Sequence, residues 1–357
     1  MLRTFTTHAV RRVRRPSMEH PRKILIIKPS SLGDVATCLP LVADLKNQFP
    51  EAQIDWLVSP AFDALVKNHP DLHRCLYFDR GALAGWLWKP SSTRALRHLI
   101  GTLRHAQYDV VIDAQGLMRS AMLAWASGAA IRIGPGDARE GARFLYTHRV
   151  DTHRHSQLAV DRMRLLQMPL APLRDVVEFH LRVDPAAAVN AQTWLDSRRP
   201  YIAMLPAARW RAKIWSPEGF AQLGRLITKA QMEVVILGAP VEISMCEALA
   251  SQIGPGARSL AGKTRLAEMI AILDRAQAVV GNDTGPLHVA AALKKPLIGL
   301  YGPTDEKSVG PWGQLHNVLR FSPPGDYRRD DALGGDDNLQ RLPAEQVWKK
   351  LQELLDD

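Results

Sequence analysis

Ile24-Leu25-Ile26-Ile27-Lys28-Pro29-Ser30-Ser31-Leu32-Gly33-Asp34-Val35 is the stretch on which the fold turns. Four apolar residues in a row, three of them β-branched, suit a strand buried on both faces. A short loop follows, and apolar residues then return at Val35, Leu39, Val42 and Leu45, the spacing of one helical face. A buried strand running straight into a helix opens a parallel α/β layer. The pattern continues with strands expected at 54–58, 75–78 and 108–113, and helices at 94–105 and 117–126. After the polar break Arg198-Arg199-Pro200 it restarts, with strands expected at 201–205, 233–237, 278–280 and 296–301. Helices alternate with them at 217–229, 241–251, 266–276 and 285–293. The economical reading is two similar α/β domains in tandem. Ligands bind outside the carboxyl ends of the strands of open α/β sheets, so the loops after strands are the places to search.

The chain's 357 residues suffice for two domains with their own cores. No run approaches the roughly 18 to 20 apolar residues that span a bilayer. Cys38, Cys75 and Cys246 are too scattered for a disulfide framework or a Cys-x-x-Cys metal site, which suits a reducing compartment. Of the formal +10 charge, about half comes from residues 1–22, where six arginines meet a single acid, Glu19. That tail lacks a signal-peptide core and reads as a disordered extension, with an arginine-rich transit peptide as the other reading. The remaining basic excess suits phosphates or an acidic membrane surface. No zinc-finger, aromatic RNA-binding or basic-zipper pattern points to nucleic acid. Residues 321–339, rich in Pro, Gly and Asp, read as a loop, and Val347, Leu351 and Leu354 mark a last amphipathic helix that should pack on a domain.

Four loops after strands carry candidate chemistry. The first is neither G-x-G-x-x-G nor a Walker loop, and taken alone Asp34 there reads as a helix N-cap, with Gly33 a turn residue. The second, Gly281-Asn282-Asp283-Thr284-Gly285-Pro286-Leu287-His288, places Pro286 where a first helical turn tolerates it. It reads as a diphosphate site at a helix start, or as an ordinary cap with a core histidine. The third runs from Pro206 to Pro217 and interleaves Arg209, Arg211 and Lys213 with Trp210 and Trp215, suiting phosphate neutralisation or a solvated basic loop. The fourth is Gly238-Ala239-Pro240-Val241-Glu242, whose acid can accept from ribose hydroxyls or start a helix. His148, His153 and His155 invite a metal reading, but in an arginine-rich stretch they fit surface or acceptor-side histidines better.

Taken together these loops resemble those of the ADP-heptose:lipopolysaccharide heptosyltransferases. The words that carry the likeness are ILIIKPSSLGDV (24–35), VIDAQGLMRS (111–120), 206–217 and 282–303, above all Asp283-Thr284-Gly285-Pro286-Leu287-His288 and Tyr301-Gly302-Pro303-Thr304. The likeness runs from about Lys23 to Trp312, plus the terminal helix. It implies two Rossmann-like α/β domains facing across a cleft, the GT-B arrangement. The acceptor-binding domain would span 23–185, the nucleotide-sugar-binding domain 195–340, and residues 341–357 would be a C-terminal helix packing back on the body. It also implies Asp34 as the base, and Lys213, Asp283, Thr284, Gly285 and His288 at the donor diphosphate. Glu242 and Thr264 would lie at the donor ribose and base, with Ser31, Gly33, Arg119 and Arg139 on the acceptor side. The chain departs from familiar members at Pro206-Ala207-Ala208, where some offer hydroxyls to phosphate.

The implied reaction is an inverting transfer of heptose from ADP-heptose to Kdo or heptose of a lipid A-linked oligosaccharide. It would use no cofactor and no metal, at the cytoplasmic face of the inner membrane, by a peripheral protein. No Asp-x-Asp, the arrangement metal-dependent sugar transferases favour, occurs in the chain. Two other readings remain: the same fold with another nucleotide sugar and glycan, or a non-catalytic sugar-nucleotide-binding module.

Overall fold

The computed structural model describes residues 20–85, 88–155, 158–195, 199–321 and 339–356, with the backbone alone at 154 and 155. The loop expected at 321–339 and nearly all of the basic tail lie outside the described residues.

Two parallel six-stranded sheets form the frame. The first comprises β1 (Lys23–Ile27), β2 (Gln53–Val58), β3 (Arg74–Tyr77), β4 (Val110–Asp113), β5 (Ile131–Pro135) and β6 (His148–Val150). The second comprises β7 (Tyr201–Leu205), β8 (Glu233–Ile236), β9 (Ala257–Ser259), β10 (Ala278–Asn282), β11 (Leu297–Leu300) and β12 (Val318–Leu319). Their orders are β3-β2-β1-β4-β5-β6 and β12-β11-β10-β7-β8-β9. Read from the other edge, the second repeats the first, so each half is a doubly wound sheet with its own reversal of strand order. The reversals fall between β1 and β4 and between β7 and β10, where neighbouring loops diverge and leave a crevice.

The central strands are apolar without alternation because both faces are covered. Ile24 and Ile26 face one core and Leu25 and Ile27 the other, all four inaccessible to solvent. In the second half Ile202 and Met204 turn to one core while Tyr201, Ala203 and Leu205 turn to the opposite one. Period-two alternation thus distributes each strand between two helical layers. The core that holds Ile24 and Ile26 also holds Ala203 and Leu287, so apolar packing is continuous from one half to the other.

The continuity runs through the Leu32–Gln48 helix after β1 and the Gly285–Ala292 helix after β10, which pack together across the halves. The Pro185–Gln192 helix packs on the Leu266–Arg275 helix of the second half. The crossover before it is tied down by Arg164, whose guanidinium pairs with buried Asp44 at 2.6 Å and donates to the carbonyl of Arg174. The terminal Ala344–Asp356 helix buries Val347 and Leu351 against the second half, beside the Pro217–Lys229 helix.

Expected and observed elements agree closely along the central strands and differ at the margins. The strand expected from Tyr108 begins at Val110, after Asp109, whose carboxylate accepts from the Arg22 and Lys23 N–H groups. The helix expected at 241–251 becomes a 3-10 turn (Pro240–Glu242) followed by Ile243–Ile253. Strands β5, β6, β9 and β12 went unread: the first three contain an arginine that breaks the apolar run, and the last is two residues long and followed by Arg320.

Candidate active site

The loop after β1 delivers Asp34 to the opening between the halves. Ser31 precedes the Leu32–Gln48 helix, and Asp34 sits in its first turn, where the positive pole favours a carboxylate. Asp34 Oδ2 accepts from the Ser31 backbone N–H at 3.0 Å and from the Ser31 hydroxyl at 2.6 Å. Oδ1 lies 3.9 Å from Nζ of Lys28, a buried lysine at the end of β1. Half of the Asp34 side chain (52%) remains exposed. Asp34 is thus not the N-cap itself, which is Ser31, but the third helical residue reaching back to it, and its carboxyl still faces the cleft. Burial pushes its pKa up, but Lys28, the Ser31 hydrogen bonds and His288 outweigh that and hold the carboxyl below the usual aspartate value.

The opposite wall comes from the second half. Asn282, the last residue of β10, is inaccessible and acts as a strut: its Oδ1 accepts from Trp215 N–H at 3.0 Å, and its Nδ2 donates to the Pro206 carbonyl at 2.7 Å. Both ends of the Pro206–Trp215 loop are thereby fastened, and the Trp215 indole N–H donates to the Leu342 carbonyl at 2.9 Å. The loop then carries Lys213 to Asp283, Nζ to Oδ2 at 2.5 Å. The next residue, Thr284, has a buried hydroxyl with no hydrogen-bond partner. His288 lies one turn along, with Nε2 3.9 Å from Asp283 Oδ1. Burial lowers its pKa despite Asp283 and Asp34.

Two glycines let the walls meet. A Cβ on Gly33 would stand 3.0 Å from His288 Cδ2 and 3.4 Å from the Gly285 Cα. A Cβ on Gly285 would stand 2.9 Å from Leu32 Cβ and 3.1 Å from the Gly33 nitrogen. The two helix starts approach so closely because neither residue carries a side chain.

Three cavities open around this junction. One of about 840 Å³ is bordered by Asp34, Lys213, Asp283, Thr284, Gly285 and His288. A second, about 310 Å³, lies wholly towards the second half apart from Leu32 and is bordered by Ala207, Ala208, Glu242, Thr264, Met269 and Thr284. The third, about 380 Å³, belongs to the first half and is bordered by Ser31, Phe78, Arg80, Gln115 and Arg119. Thr284 borders the first two and Arg209 all three, so the cavities form one trough. Glu242 both borders the second cavity and accepts from the Ala239 N–H at 2.6 Å. Ala207 and Ala208 line that cavity without hydroxyls, so only their backbone groups offer hydrogen bonds there.

Of the expected residues, Arg139 alone borders none of these cavities. It is exposed, and its backbone N–H donates to the Gly116 carbonyl. His153 Nε2 faces Asp137 at 2.9 Å and His148 Nδ1 faces the Thr147 hydroxyl at 2.9 Å, while the His155 side chain lies outside the described ones. Among the described residues, His69, Asp71 and His180 could share an ion, their ligand atoms lying within 4.8 Å of one another. His180 lies on the crossover between the halves and the other two just before β3, with His180 Nδ1 on Asp71 at 2.7 Å and the Asp71 N–H on His69 Nδ1 at 3.2 Å. Two functional neighbours had no assigned role in the sequence reading. Lys28 shows itself only as a charge ending an apolar run, and Asn282 as a polar residue ending a buried strand.

Chemically, the trough sets the open carboxylate of Asp34 against a wall that carries the Lys213–Asp283 pair and a helix start. The positive side consists of Lys213 and the start of the Gly285–Ala292 helix, whose backbone N–H groups and dipole favour anions.

The chain and its fold have known counterparts. The family model for glycosyltransferase family 9 (heptosyltransferase) matches residues 96–329. The chain is 31% identical over 304 residues to lipopolysaccharide heptosyltransferase 1 of Pseudomonas aeruginosa, covering 82% of this chain and 83% of that one. It superposes on the E. coli heptosyltransferase WaaC with ADP at a TM-score of 0.77 and 27% identity, covering 93% and 99% of the two chains. It also superposes on E. coli ADP-heptose lps heptosyltransferase II, again at 0.77, with 25% identity and 93% and 98% coverage.

Proposed function

The chain belongs to glycosyltransferase family 9, and we propose that it transfers heptose from ADP-heptose to Kdo or heptose in the inner core of lipopolysaccharide by a single inverting displacement. The observation that carries this reading is the half-exposed Asp34 carboxylate facing Lys213 and the Gly285–Ala292 helix start across the trough. Relatives named for ADP-heptose and for a bound ADP support the donor.

The acceptor oxygen attacks the anomeric carbon from the face opposite the diphosphate, and its proton passes to Asp34. The carbon–oxygen bond to the β-phosphate breaks, and the electron pair leaves with ADP. Lys213, the Thr284 hydroxyl and the helix start receive the charge that develops there. Asp283, itself anionic, serves by holding Lys213 in place rather than by meeting phosphate. Glu242 and Thr264 border the cavity into which ribose and base fit, and Ser31, Gln115 and Arg119 border the acceptor side. With this positive charge supplied by the chain, transfer should proceed undiminished in EDTA.

The lipid-linked acceptor implies work at the cytoplasmic face of the inner membrane as a peripheral protein. No helix among the described residues is long and apolar enough to cross a membrane. The test is transfer from ADP-heptose to a Kdo-bearing acceptor, with the anomeric configuration of the product read by NMR. Inverted product with ADP released supports the reading; retained configuration, or activity only with a different nucleotide sugar, refutes it.

A further inference from the structure

The Met118–Ala126 helix starts in the acceptor-side cavity and leaves it along the outer surface of the first half. Leu117, Arg119, Ser120 and Leu123 border the cavity. Arg119, Met122 and Trp125 form one exposed stripe, at the three-residue steps that keep side chains on one helical face. Met122 is 48% and Trp125 59% exposed. The 3-10 turn Ala142–Leu145 packs alongside through a small core of Ala121, Ala142 and Tyr146. Arg132 fixes their relation, donating from Nε to the Leu145 carbonyl and from Nη1 to the Ala129 carbonyl. That turn holds up Phe144, 67% exposed, with the guanidiniums of Arg143 and Arg149 at 4.9 and 5.7 Å from its ring.

Large apolar side chains so exposed on one small surface are uncommon on a water-facing protein. The charge around them is mostly positive. The Met118–Ala126 helix contains no acid, nor does the adjacent Pro90–Ala106 helix, whose exposed side carries Arg94, Arg97 and Arg104. Two exposed acids lie nearby: Glu140, which accepts from the Met118 N–H at 3.2 Å, and Asp137, which faces His153 at 2.9 Å. Aromatic and thioether side chains flanked by arginines suit the boundary between headgroups and acyl chains of an anionic bilayer.

We propose that Met122, Trp125 and Phe144, with Arg143 and Arg149, dock this face on an anionic phospholipid surface and so turn the acceptor cavity towards its lipid-linked substrate. The proposal takes the lipid nature of the acceptor from the function proposed above. Docking itself is measured without acceptor.

The test is co-sedimentation of the full chain with phosphatidylcholine vesicles, with and without phosphatidylglycerol. The expected result is binding that requires the anionic lipid. Trp125→Ala/Phe144→Ala should lower the partition coefficient by about tenfold or more, since two apolar side chains lose their buried surface. Arg143→Gln/Arg149→Gln should lower it by about fivefold per arginine and flatten its dependence on salt. Trp125→Phe, keeping an apolar ring, should bind nearly as the parent. Transfer to a water-soluble, de-acylated acceptor should be the same in Trp125→Ala/Phe144→Ala as in the parent, while transfer to vesicle-embedded acceptor falls. An unmodified chain that does not sediment, or alanine variants that sediment like it, overturns the proposal. So does a variant that only turns a dimer into a monomer in sedimentation equilibrium, which would make this face a contact between copies. Failure of transfer to the soluble acceptor in the parent would instead strike the proposed function and leave the vesicle result to stand by itself.

Discussion

The loops after β1 and after β7 hold the same place in two copies of one strand order, yet they carry opposite charge. The first presents Asp34, half exposed and held ionised by Lys28. The second presents Lys213, fastened by Asn282 at its loop ends and by Asp283 at its ammonium. Repetition of the fold sets both side chains at a strand-order reversal, where a ligand binds. What differs is how each is supported: the acid is left open towards the trough, while the lysine is locked by a buried partner. A displacement needs that asymmetry, with a proton acceptor on one side and a fixed positive charge on the other.

The contrast breaks most completely at the acid. Asp34→Ala should reduce turnover by about a hundred- to ten-thousandfold, the usual contribution of a positioned base, with folding intact by circular dichroism. Near-parent turnover in a folded variant would remove Asp34 from the chemistry.

A smaller effect is expected where the loops are brought together. Gly285→Ala drives a methyl to 2.9 Å from Leu32 Cβ and 3.1 Å from the Gly33 backbone nitrogen, so the two walls must separate. A shift of about 1 Å costs on the order of tenfold to a hundredfold in kcat/KM. Gly33→Ala meets the His288 ring and should cost less, because a side chain yields more readily than backbone. Equal kinetics in both variants would show that the close approach does not matter.

The finest test concerns what keeps the acid ionised. The Asp34 pKa is depressed, so its base form persists at neutral pH and activity falls only as pH drops through that low value. Lys28→Met keeps the buried stem and deletes the charge, leaving burial to raise the pKa. The acidic limb of kcat/KM should move to higher pH, with the plateau reached later. An unmoved limb would assign the limb to another group.

Much of this was legible in the chain because buried parallel strands are written as unbroken apolar runs. Ile24 to Ile27, Tyr201 to Leu205 and Ala278 to Val280 announce themselves in that way, and the loops after them follow. Edge strands such as His148–Val150 and Val318–Leu319 are short and covered on fewer sides, so no comparable pattern marks them. The strand order is also absent from local pattern, since it depends on pairings between residues far apart in sequence. For the same reason Lys28 and Asn282 gained meaning only in space. One lies 3.9 Å from the carboxyl it tunes, and the other bridges two ends of a loop about seventy residues away. Asp34 shows the limit most clearly, since spacing alone points to a helix cap, while the geometry also leaves its carboxyl half exposed towards the trough.

Affinity for ADP, measured by calorimetry beside turnover in Asp34→Asn and Lys213→Ala, probes this division of roles most directly. The account predicts that Asp34→Asn binds ADP as the parent does and turns over hardly at all, whereas Lys213→Ala loses affinity and turnover together. Weakened ADP binding in Asp34→Asn, with Lys213→Ala binding normally, would contradict it.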